Sequence, residues 1–534
     1  MTRINAAAGT FAILVLMLGV RAEASTDFAL IDSDGRFHNM SWYNDVDEIV
    51  IMVASATSNA SSKGQFIGTL ENKPNAQFFF LNPTGEDRST EQNVSHPDIP
   101  MLMDDSKIVS KALGVTQLNE VLFMDAKTWE IKLRNVLAEG DAVDTDFATV
   151  SYVNDVAPIV AENCAMCHRD GGVAPFAMDS HIMLKGWSPM MKEVILTKRM
   201  PPGQIDPHVG NFVNSRTLSI EEQQTLVSWI DAGSPSDATS VDPLAELTWS
   251  STKWDTRLGE PDLIVKVPPQ EVPATGVLSY RDLTVDMGLT EDRWVRASEW
   301  VPSAPSVLHH SLNALIEPGK RGGSVLSAID GRTTDMPDLA AYVPGGEASI
   351  YPDNAGGLLK AGTQMALNLH YTTSGRAEVD ESEIGVWFYP EGYVPEERIT
   401  GICACIFPPG WTNIPPNDPS FIQTKTVVYK NKTELQSFLP HMHFRGKSMK
   451  AYAEYPDGTE EMLINVANYS YDWQLAYEFS PAKILPAGTK VRVEGEFDNS
   501  TRNPANPDPE RSVPWGQMSW DEMFFGAMQW KEID

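Results

Sequence analysis

The hydrophobic residues of the first part of the chain fall into short apolar runs with helical stretches between them. Such runs occupy residues 48–53, 77–81 and 120–125, and their length is typical of buried strands. Residues 106–113 have the pattern of a helix. The alternation of strands with helices predicts an α/β layer structure for residues 25–148.

A different pattern covers the C-terminal half. Short runs of β-type residues alternate there with turns rich in Pro, Gly and Asn, as at residues 263–267, 427–429, 451–455 and 490–497. Many short strands between such turns are typical of β-sandwiches. The sequence therefore predicts a multidomain protein that is α/β at its start and all-β at its end.

The two regions are separated by a segment whose last helix has clear end signals. A capping box, Ser219-x-x-Glu222, begins the helix, and Gly233 ends it. Its apolar residues include Leu226, Trp229 and Ile230. Polar, turn-rich sequence follows and predicts a linker over residues 241–260.

The N-terminus has the features of an export signal. Arg3 precedes an apolar stretch over residues 12–20, and Ala22-Glu23-Ala24 is a small-x-small cleavage site. The apolar stretch is too short to span a bilayer, so residues 1–24 are predicted to be a cleaved signal peptide. The mature protein is then periplasmic or secreted and has no membrane span; an uncleaved anchor would keep the same compartment.

Length and charge limit the possible partners. A chain of 534 residues has room for about three or four domains. With 41 Lys and Arg against 72 Asp and Glu, the formal net charge is −31. Such acidity disfavours nucleic acid and anionic membranes as partners, and it favours a basic redox partner.

A cofactor motif lies in the middle of the chain. Cys164-Ala165-Met166-Cys167-His168 is a C-x-x-C-H sequence, in which two cysteines form thioethers to haem and the histidine binds iron. The other reading is a thioredoxin-like dithiol that happens to precede a histidine. Met200 is the best candidate for the second iron ligand, with the neighbouring methionines as competitors. Residues 149–240 resemble a small, all-α class I cytochrome c domain.

Histidines cluster in the last part of the chain, at His309, His310, His370, His441 and His443. His441 and His443 would point to the same side of a strand, whereas the adjacent His309 and His310 need a bulge or a twist to share an ion. Met523 adds a thioether, which is a ligand type that selects copper. Satisfied core or surface histidines are the competing interpretation. The pattern predicts two copper ions, one held by three imidazoles and one by two imidazoles and a sulfur.

These residues resemble those of the copper type II, ascorbate-dependent monooxygenases, typified by peptidylglycine α-hydroxylating monooxygenase and dopamine β-monooxygenase. The matching stretches are Val307-Leu308-His309-His310-Ser311-Leu312, Leu367-Asn368-Leu369-His370-Tyr371, Pro440-His441-Met442-His443 and Asp521-Glu522-Met523.

The resemblance implies two jelly-roll-like sandwiches, residues 261–400 and 401–534, that face each other across a solvent cleft. It implies that His309, His310 and His370 hold the electron-storing copper, and that His441, His443 and Met523 hold the catalytic copper where O2 is activated. The peptide-processing member has a substrate-binding arginine where this chain has Leu439. A peptide C-terminus is therefore not the expected substrate.

The N-terminal domain resembles thioredoxin and peroxiredoxin in its order of elements and in the stretch 114–125. No cysteine precedes Cys164, and Asn119 stands where that fold usually has a cis-proline. Thiol chemistry is therefore excluded from residues 25–148. We expect a thioredoxin-like domain without catalytic cysteines, with a docking or structural role.

Cys403 and Cys405 are the cysteines that the haem motif leaves over. Both would point to one face of a strand, and a disulfide across one residue is strained. We favour two packed thiols or an unusual local disulfide over a third copper site.

Together these features predict an exported monooxygenase that hydroxylates a C–H bond of a small organic substrate with O2. A periplasmic donor, either an ascorbate-like reductant or a redox protein, would supply electrons through the haem c. The alternative is a copper-binding electron-transfer or sensing protein without hydroxylase activity. The complete ligand set, Met523 included, favours the enzyme.

Overall fold

The computed structural model describes residues 27–55, 58, 60–85, 98–249, 253–320, 325 and 336–533. The predicted signal peptide, residues 1–24, lies outside the described residues. The strands of the N-terminal part are β1 (Ala29–Ile31), β2 (Phe37–Asn39), β3 (Glu48–Val53), β4 (Ala76–Asn82), β5 (Met101–Met103), β6 (Glu120–Asp125) and β7 (Ile131–Val136). The helices are α1 (Ala60–Ile67), α2 (Ile108–Ala112), α3 (Ala157–Asn163), α4 (His181–Leu196) and α5 (Ile220–Asp231). Short 3₁₀ or π turns are Met40–Tyr43, Leu70–Asn72, Tyr152–Val156 and Pro243–Glu246.

The remaining strands form the C-terminal half. Those of the first sandwich are β8 (Leu263–Lys266), β9 (Gln270–Val272), β10 (Arg281–Asp286), β11 (Arg293–Val301), β12 (Leu308–Ile316), β13 (Ser349–Ile350), β14 (Ala355–Leu359), β15 (Gln364–Tyr371), β16 (Glu378–Asp380) and β17 (Glu383–Phe388). Those of the second sandwich are β18 (Glu397–Cys405), β19 (Phe421–Val428), β20 (Thr433–His441), β21 (Gly446–Glu454), β22 (Glu460–Val466), β23 (Tyr477–Leu485), β24 (Lys490–Phe497) and β25 (Phe525–Glu532).

The N-terminal domain is a sheet with strand order β5-β4-β3-β6-β7. The strands β3, β4 and β5 are parallel, while β6 and β7 run antiparallel to their neighbours. This is the strand order of a thioredoxin-like domain, so the predicted α/β layer structure is confirmed. Asn119, directly before β6, is buried and has φ of 66°, a left-handed conformation that Asn tolerates better than most residues.

Helices α3, α4 and α5 follow, and they do not form a core of their own. Leu184 and Trp229 share one apolar cluster with Phe79 and Leu122 of the thioredoxin-like sheet. The predicted capping box of α5 is present, with Ser219 accepting from the N–H of Glu222. The helical segment is therefore held against the N-terminal domain by apolar burial.

The C-terminal half consists of two β-sandwiches that share a sheet. The shared sheet has the order β23-β20-β25-β18-β14-β11-β17-β8, and β13 pairs with β11 at its side. A parallel pair, β14 with β18, joins the two halves. The sheet β10-β15-β12 belongs to the first half and the sheet β19-β24-β21-β22 to the second. Strand β18 crosses the predicted boundary between residues 400 and 401, because it continues the shared sheet.

Polar contacts tie the second sandwich to the N-terminal half. Asn465 Nδ2 donates to the Gly35 carbonyl at 2.9 Å and to Asp206 at 3.2 Å, and all these contacts are buried. Arg502 forms an ion pair with Asp45 at 2.8 Å. Among the described residues, no helix is long and apolar enough to cross a membrane.

Candidate metal centres

His309 and His310 lie near the start of β12, and His370 lies opposite them on β15. The register between these strands shifts between Leu308 and His310, so His309 is the extra residue of a bulge. Of the two predicted distortions, a bulge or a twist, the structure has the bulge. It lets two adjacent imidazoles turn toward His370, while Met365 and the other alternate residues of β15 are buried in the core.

The three imidazoles converge through their Nδ1 atoms. His309 Nδ1 lies 3.0 Å from His310 Nδ1 and 3.1 Å from His370 Nδ1. The ligand atoms of the group all lie within 4.8 Å of one another. Nitrogens at such distances fit around one ion with bonds of about 2.0–2.1 Å. The donor set fits a copper ion, as imidazole is a ligand that copper accepts readily.

Burial favours the neutral form of His310 and His370. Desolvation and the neighbouring imidazoles hold the pKa of His310 well below its usual range. The same causes lower the pKa of His370 to about 3. Neutral imidazole is the form that binds a metal, so the group is ready to coordinate at neutral pH.

His441 ends β20, His443 follows it, and their ring centroids are 5.3 Å apart. The Nδ1–H of His441 donates to Gln474 Oε1 at 2.5 Å, and the Nδ1–H of His443 donates to the Asp521 carbonyl at 3.3 Å. Both rings are thus left with Nε2 as the free lone pair. Within the described residues, His441 Nε2 is buried without a hydrogen-bond partner, as expected of a metal ligand.

Met523 completes this second group. It is 4% exposed, and it borders a small cavity of about 10 Å³ together with His310, His441 and His443. A cavity of that volume holds about one water-sized molecule. Two imidazoles and a thioether that border so small a space fit a copper ion.

A buried carboxyl fixes the backbone of the second group. Glu522 accepts from the N–H of Arg445 at 2.6 Å, of His443 at 2.8 Å and of Met523 at 3.3 Å. Burial raises the pKa of Glu522 to about 8 despite these contacts. One side chain therefore sets the distance between the His443 and Met523 ligands.

The two groups lie side by side, and this corrects the expectation of a solvent cleft. The ring centroids of His310 and His441 are 5.9 Å apart. Tyr280 lies between the groups, 4.4 Å from the His370 ring and 6.3 Å from the His443 ring. The sandwiches share a sheet and pack closely, so all five histidines belong to one buried cluster.

The C-x-x-C-H motif follows α3. Cys164 and Cys167 are not paired with each other, and the His168 Nδ1–H donates to the Phe176 carbonyl at 3.1 Å. That hydrogen bond leaves the lone pair of His168 Nε2 available for a metal ion. Met200 lines the same cavity of about 910 Å³ as Cys164, Cys167 and His168. The arrangement fits a covalently attached haem.

The choice of the second iron ligand remains a prediction, because several methionines border this cavity. They are Met166, Met178, Met190, Met191 and Met200.

The same cavity reaches the second histidine group. Besides the haem motif, it is bordered by Leu439, His441, Trp473 and Phe525. Sequence reasoning missed this connection, since nothing in the local patterns places the helical segment against β20 and β25.

Sequence reasoning also missed the polar partners of the histidines. Asp472 Oδ1 accepts from His309 Nε2 at 3.1 Å, and the Tyr471 hydroxyl lies 3.0 Å from His370 Nδ1. With Gln474, these residues belong to the segment between β22 and β23. The run of aromatic and polar residues there is the signal that could have identified it.

Cys403 and Cys405 form a disulfide on β18. Of the two states favoured from the sequence, the structure has the local disulfide. Cys405 packs with Met523 and Phe525, and Cys403 borders the large cavity.

Comparisons with known proteins bear on the N-terminal domain alone. No family model matches the sequence, and no curated protein matches it. A hypothetical protein from Sinorhizobium meliloti 1021 is 15% identical over 24% of this chain and 76% of that chain, with a TM-score of 0.20. A putative thioredoxin from Neisseria meningitidis is 20% identical over 22% of this chain and 80% of that chain, with a TM-score of 0.19.

A pneumococcal exposed lipoprotein thioredoxin from Streptococcus pneumoniae strain TIGR4 is 14% identical over 21% of this chain and 91% of that chain, with a TM-score of 0.19. At these TM-scores the assignment of the thioredoxin-like domain rests on its own strand order.

Proposed function

We propose that this chain is an exported copper-dependent monooxygenase that hydroxylates a C–H bond of a small organic substrate with O2. When bound, copper would supply one-electron chemistry and O2 activation, and haem c would supply electrons. The observation that supports the proposal best is the juxtaposition of two unlike donor sets, three imidazoles beside two imidazoles and a thioether, in one buried cluster.

The two donor sets have different tasks in this proposal. His309, His310 and His370 offer nitrogen alone and would hold the electron-storing ion. His441, His443 and Met523 offer a softer set around a cavity of about 10 Å³, which suits the ion that meets O2. The packed rings of His310 and His441 give an electron a short path between the two groups.

The wall of the large cavity that is formed by β18, β20 and β25, here called the floor, would hold the substrate. Residues of β18, β25 and β20 border the cavity in three rows of paired positions, Gly401–Gln529–Ser437, Cys403–Ala527–Leu439 and Phe525–His441. The first and third rows are about 13 Å apart at the usual rise of a strand. Leu439, Ala527 and Phe525 make the floor apolar near His441, so an apolar substrate would be desolvated there.

The haem would take the other side of the same cavity. Cys164 and Cys167 would attach it, while His168 and Met200 would hold its iron. Since this cavity also touches His441, electrons have a direct way in from the haem side. The net charge of −31 favours a basic redox protein as the external donor, with an ascorbate-like reductant as the other candidate.

The experiment is O2 uptake by the reduced, copper-loaded, haem-bearing protein against a panel of small apolar compounds, with mass spectrometry of the products. We expect uptake that depends on one class of compound and a product that gains one oxygen atom. The His441→Ala variant, treated identically, is the control and should lose both. Uptake equal in parent and variant, without an oxygenated product, would contradict the proposal and favour a copper-binding electron-transfer or sensing protein.

A further inference from the structure

The segment between β22 and β23, residues 469–475, is here called the bridging loop. We propose that the bridging loop is a single positioning element for both histidine groups, which orients His309 through Asp472 and His441 through Gln474. The inference rests on the proposed copper sites, and it goes further by assigning residues that control both sites together.

Asp472 acts across the boundary between the sandwiches. It belongs to the second sandwich, yet its Oδ1 accepts from Nε2 of His309, a residue of the first sandwich, at 3.1 Å. The Asp472 side chain is 71% exposed and that of His309 is 9% exposed, so the contact lies at the solvent-facing edge of the histidine cluster. With the proton on Nε2, the Nδ1 lone pair of His309 faces the other two imidazoles. A carboxylate on the far nitrogen of a metal-binding histidine sets both its tautomer and its orientation.

Gln474 does the same for the second group. Its Oε1 can only accept, so the contact of 2.5 Å requires the proton of His441 on Nδ1 and leaves Nε2 for the metal. The Gln474 Nε2 donates to the Tyr471 carbonyl at 2.9 Å, which fixes the amide itself. Gln474 is 3% exposed, so little water competes for these contacts.

Tyrosines of the bridging loop also contact both groups. The Tyr471 hydroxyl lies 3.0 Å from His370 Nδ1 and 2.6 Å from Ser519 Oγ, and its ring stacks 4.8 Å from the His309 ring. The Tyr469 hydroxyl donates to the Met442 carbonyl at 2.6 Å and accepts from the Met442 N–H at 2.9 Å. Met442 stands between His441 and His443, so Tyr469 fixes the backbone of that pair.

Two further residues of the loop, Trp473 and Leu475, line the large cavity, which the haem motif also lines. Asp472, Trp473 and Gln474 are consecutive, so the backbone cannot shift at one of them without moving the others. A displacement of the bridging loop must therefore change both histidine groups at once, which independent supports would not do.

The test measures Cu(I) affinity, in competition with a chromophoric Cu(I) chelator, on the full haem-bearing chain. X-ray absorption at the copper edge distinguishes the sites, because only the site with Met523 has a sulfur ligand. Asp472→Ala and Gln474→Ala should each weaken copper binding at the adjacent group by about 10–100-fold, as loss of such a partner typically does. Each variant should also weaken copper binding at the other histidine group several-fold.

Two further variants distinguish a positioning role from a general loss of folded structure. Gln474→Glu keeps an acceptor for His441 Nδ1 and should recover most of the affinity that Gln474→Ala loses. Asp353→Asn removes an exposed carboxylate elsewhere in the first sandwich and should change neither affinity. Circular dichroism spectra equal to the parent's would show that the variants are folded.

Unchanged affinities in Asp472→Ala and Gln474→Ala would overturn the proposal. Effects confined to the adjacent site would also overturn it, because the loop would then be two separate supports. Failure of Gln474→Glu to recover affinity would refute the role given to the acceptor. A parent that binds both ions and gives the expected variant pattern, but hydroxylates nothing, would refute the proposed function and leave the bridging loop's role intact.

Discussion

Asp104 provides a test of how the N-terminal domain is held to the segment that carries the C-x-x-C-H motif. Its carboxylate is fully buried, and it accepts from the N–H of Ser110 at 2.7 Å. Burial raises its pKa to about 6, although Ser110, Val109 and the charge of Lys198 oppose that rise. Lys198 lies two residues before Met200, so this pair sits between the thioredoxin-like domain and the loop that carries the predicted iron ligand.

The raised pKa sets the sign and the size of the effect of Asp104→Asn. The folded protein holds the Asp104 proton more tightly than the unfolded chain does, so stability is lost as the pH rises from about 4 to about 6. A rise from 3.8 to about 6 corresponds to about 3 kcal/mol of unfolding free energy at pH 8. The asparagine variant cannot ionise and keeps that free energy. Relative to the parent, the variant should therefore gain up to about 3 kcal/mol between pH 4 and pH 8.

Urea unfolding of parent and variant at both pH values, monitored by tryptophan fluorescence, measures this difference. Any unfolding free energy lost through the altered contact with Ser110 is lost at both pH values, so it cancels when the two pH values are compared. Asp353→Asn, a change at an exposed carboxylate, is the control for the loss of one negative charge. A difference between Asp104→Asn and the parent that is equal at pH 4 and pH 8 would refute the reasoning from burial.

Three further predictions concern the sites. Met200→Ala should lower the haem reduction potential and remove the thioether–iron absorption band; a spectrum and potential equal to the parent's would assign another ligand. Met523→Ala should reduce copper content in part and hydroxylation by orders of magnitude. His310→Ala should instead uncouple O2 consumption from product formation. Full, coupled turnover in Met523→Ala would disprove the role of Met523 as a ligand of the catalytic copper. Ala527→Trp should fill the cavity floor and lower kcat/KM with copper content unchanged, and an unchanged kcat/KM would move the substrate site elsewhere.

Local patterns predicted much of the fold, because strand and helix signals act over a few residues. Strand β24 has the bounds expected from the alternation of apolar residues, and the capping box of α5 is present as predicted. The bulge at His309 followed from a single physical requirement, namely that adjacent strand residues point to opposite faces.

Features that depend on the packing of distant segments could not be predicted in this way. Asp472 and Gln474 lie on a loop without periodicity, and their role depends on where the second sandwich meets the first. The expected cleft was wrong for the same reason, since the pairing of β14 with β18 brings the two halves together. The cavity shared by His168 and His441 likewise arises from long-range packing.

The central claim is tested most directly by copper stoichiometry combined with X-ray absorption on the Cu(I)-loaded, haem-bearing protein. We expect two coppers per chain and a ligand average of imidazole nitrogens with one sulfur for every two coppers. Met523→Leu keeps an apolar side chain of similar size and should remove the sulfur signal, while copper content falls only in part. A single copper per chain, or a sulfur signal that persists in Met523→Leu, would contradict the account.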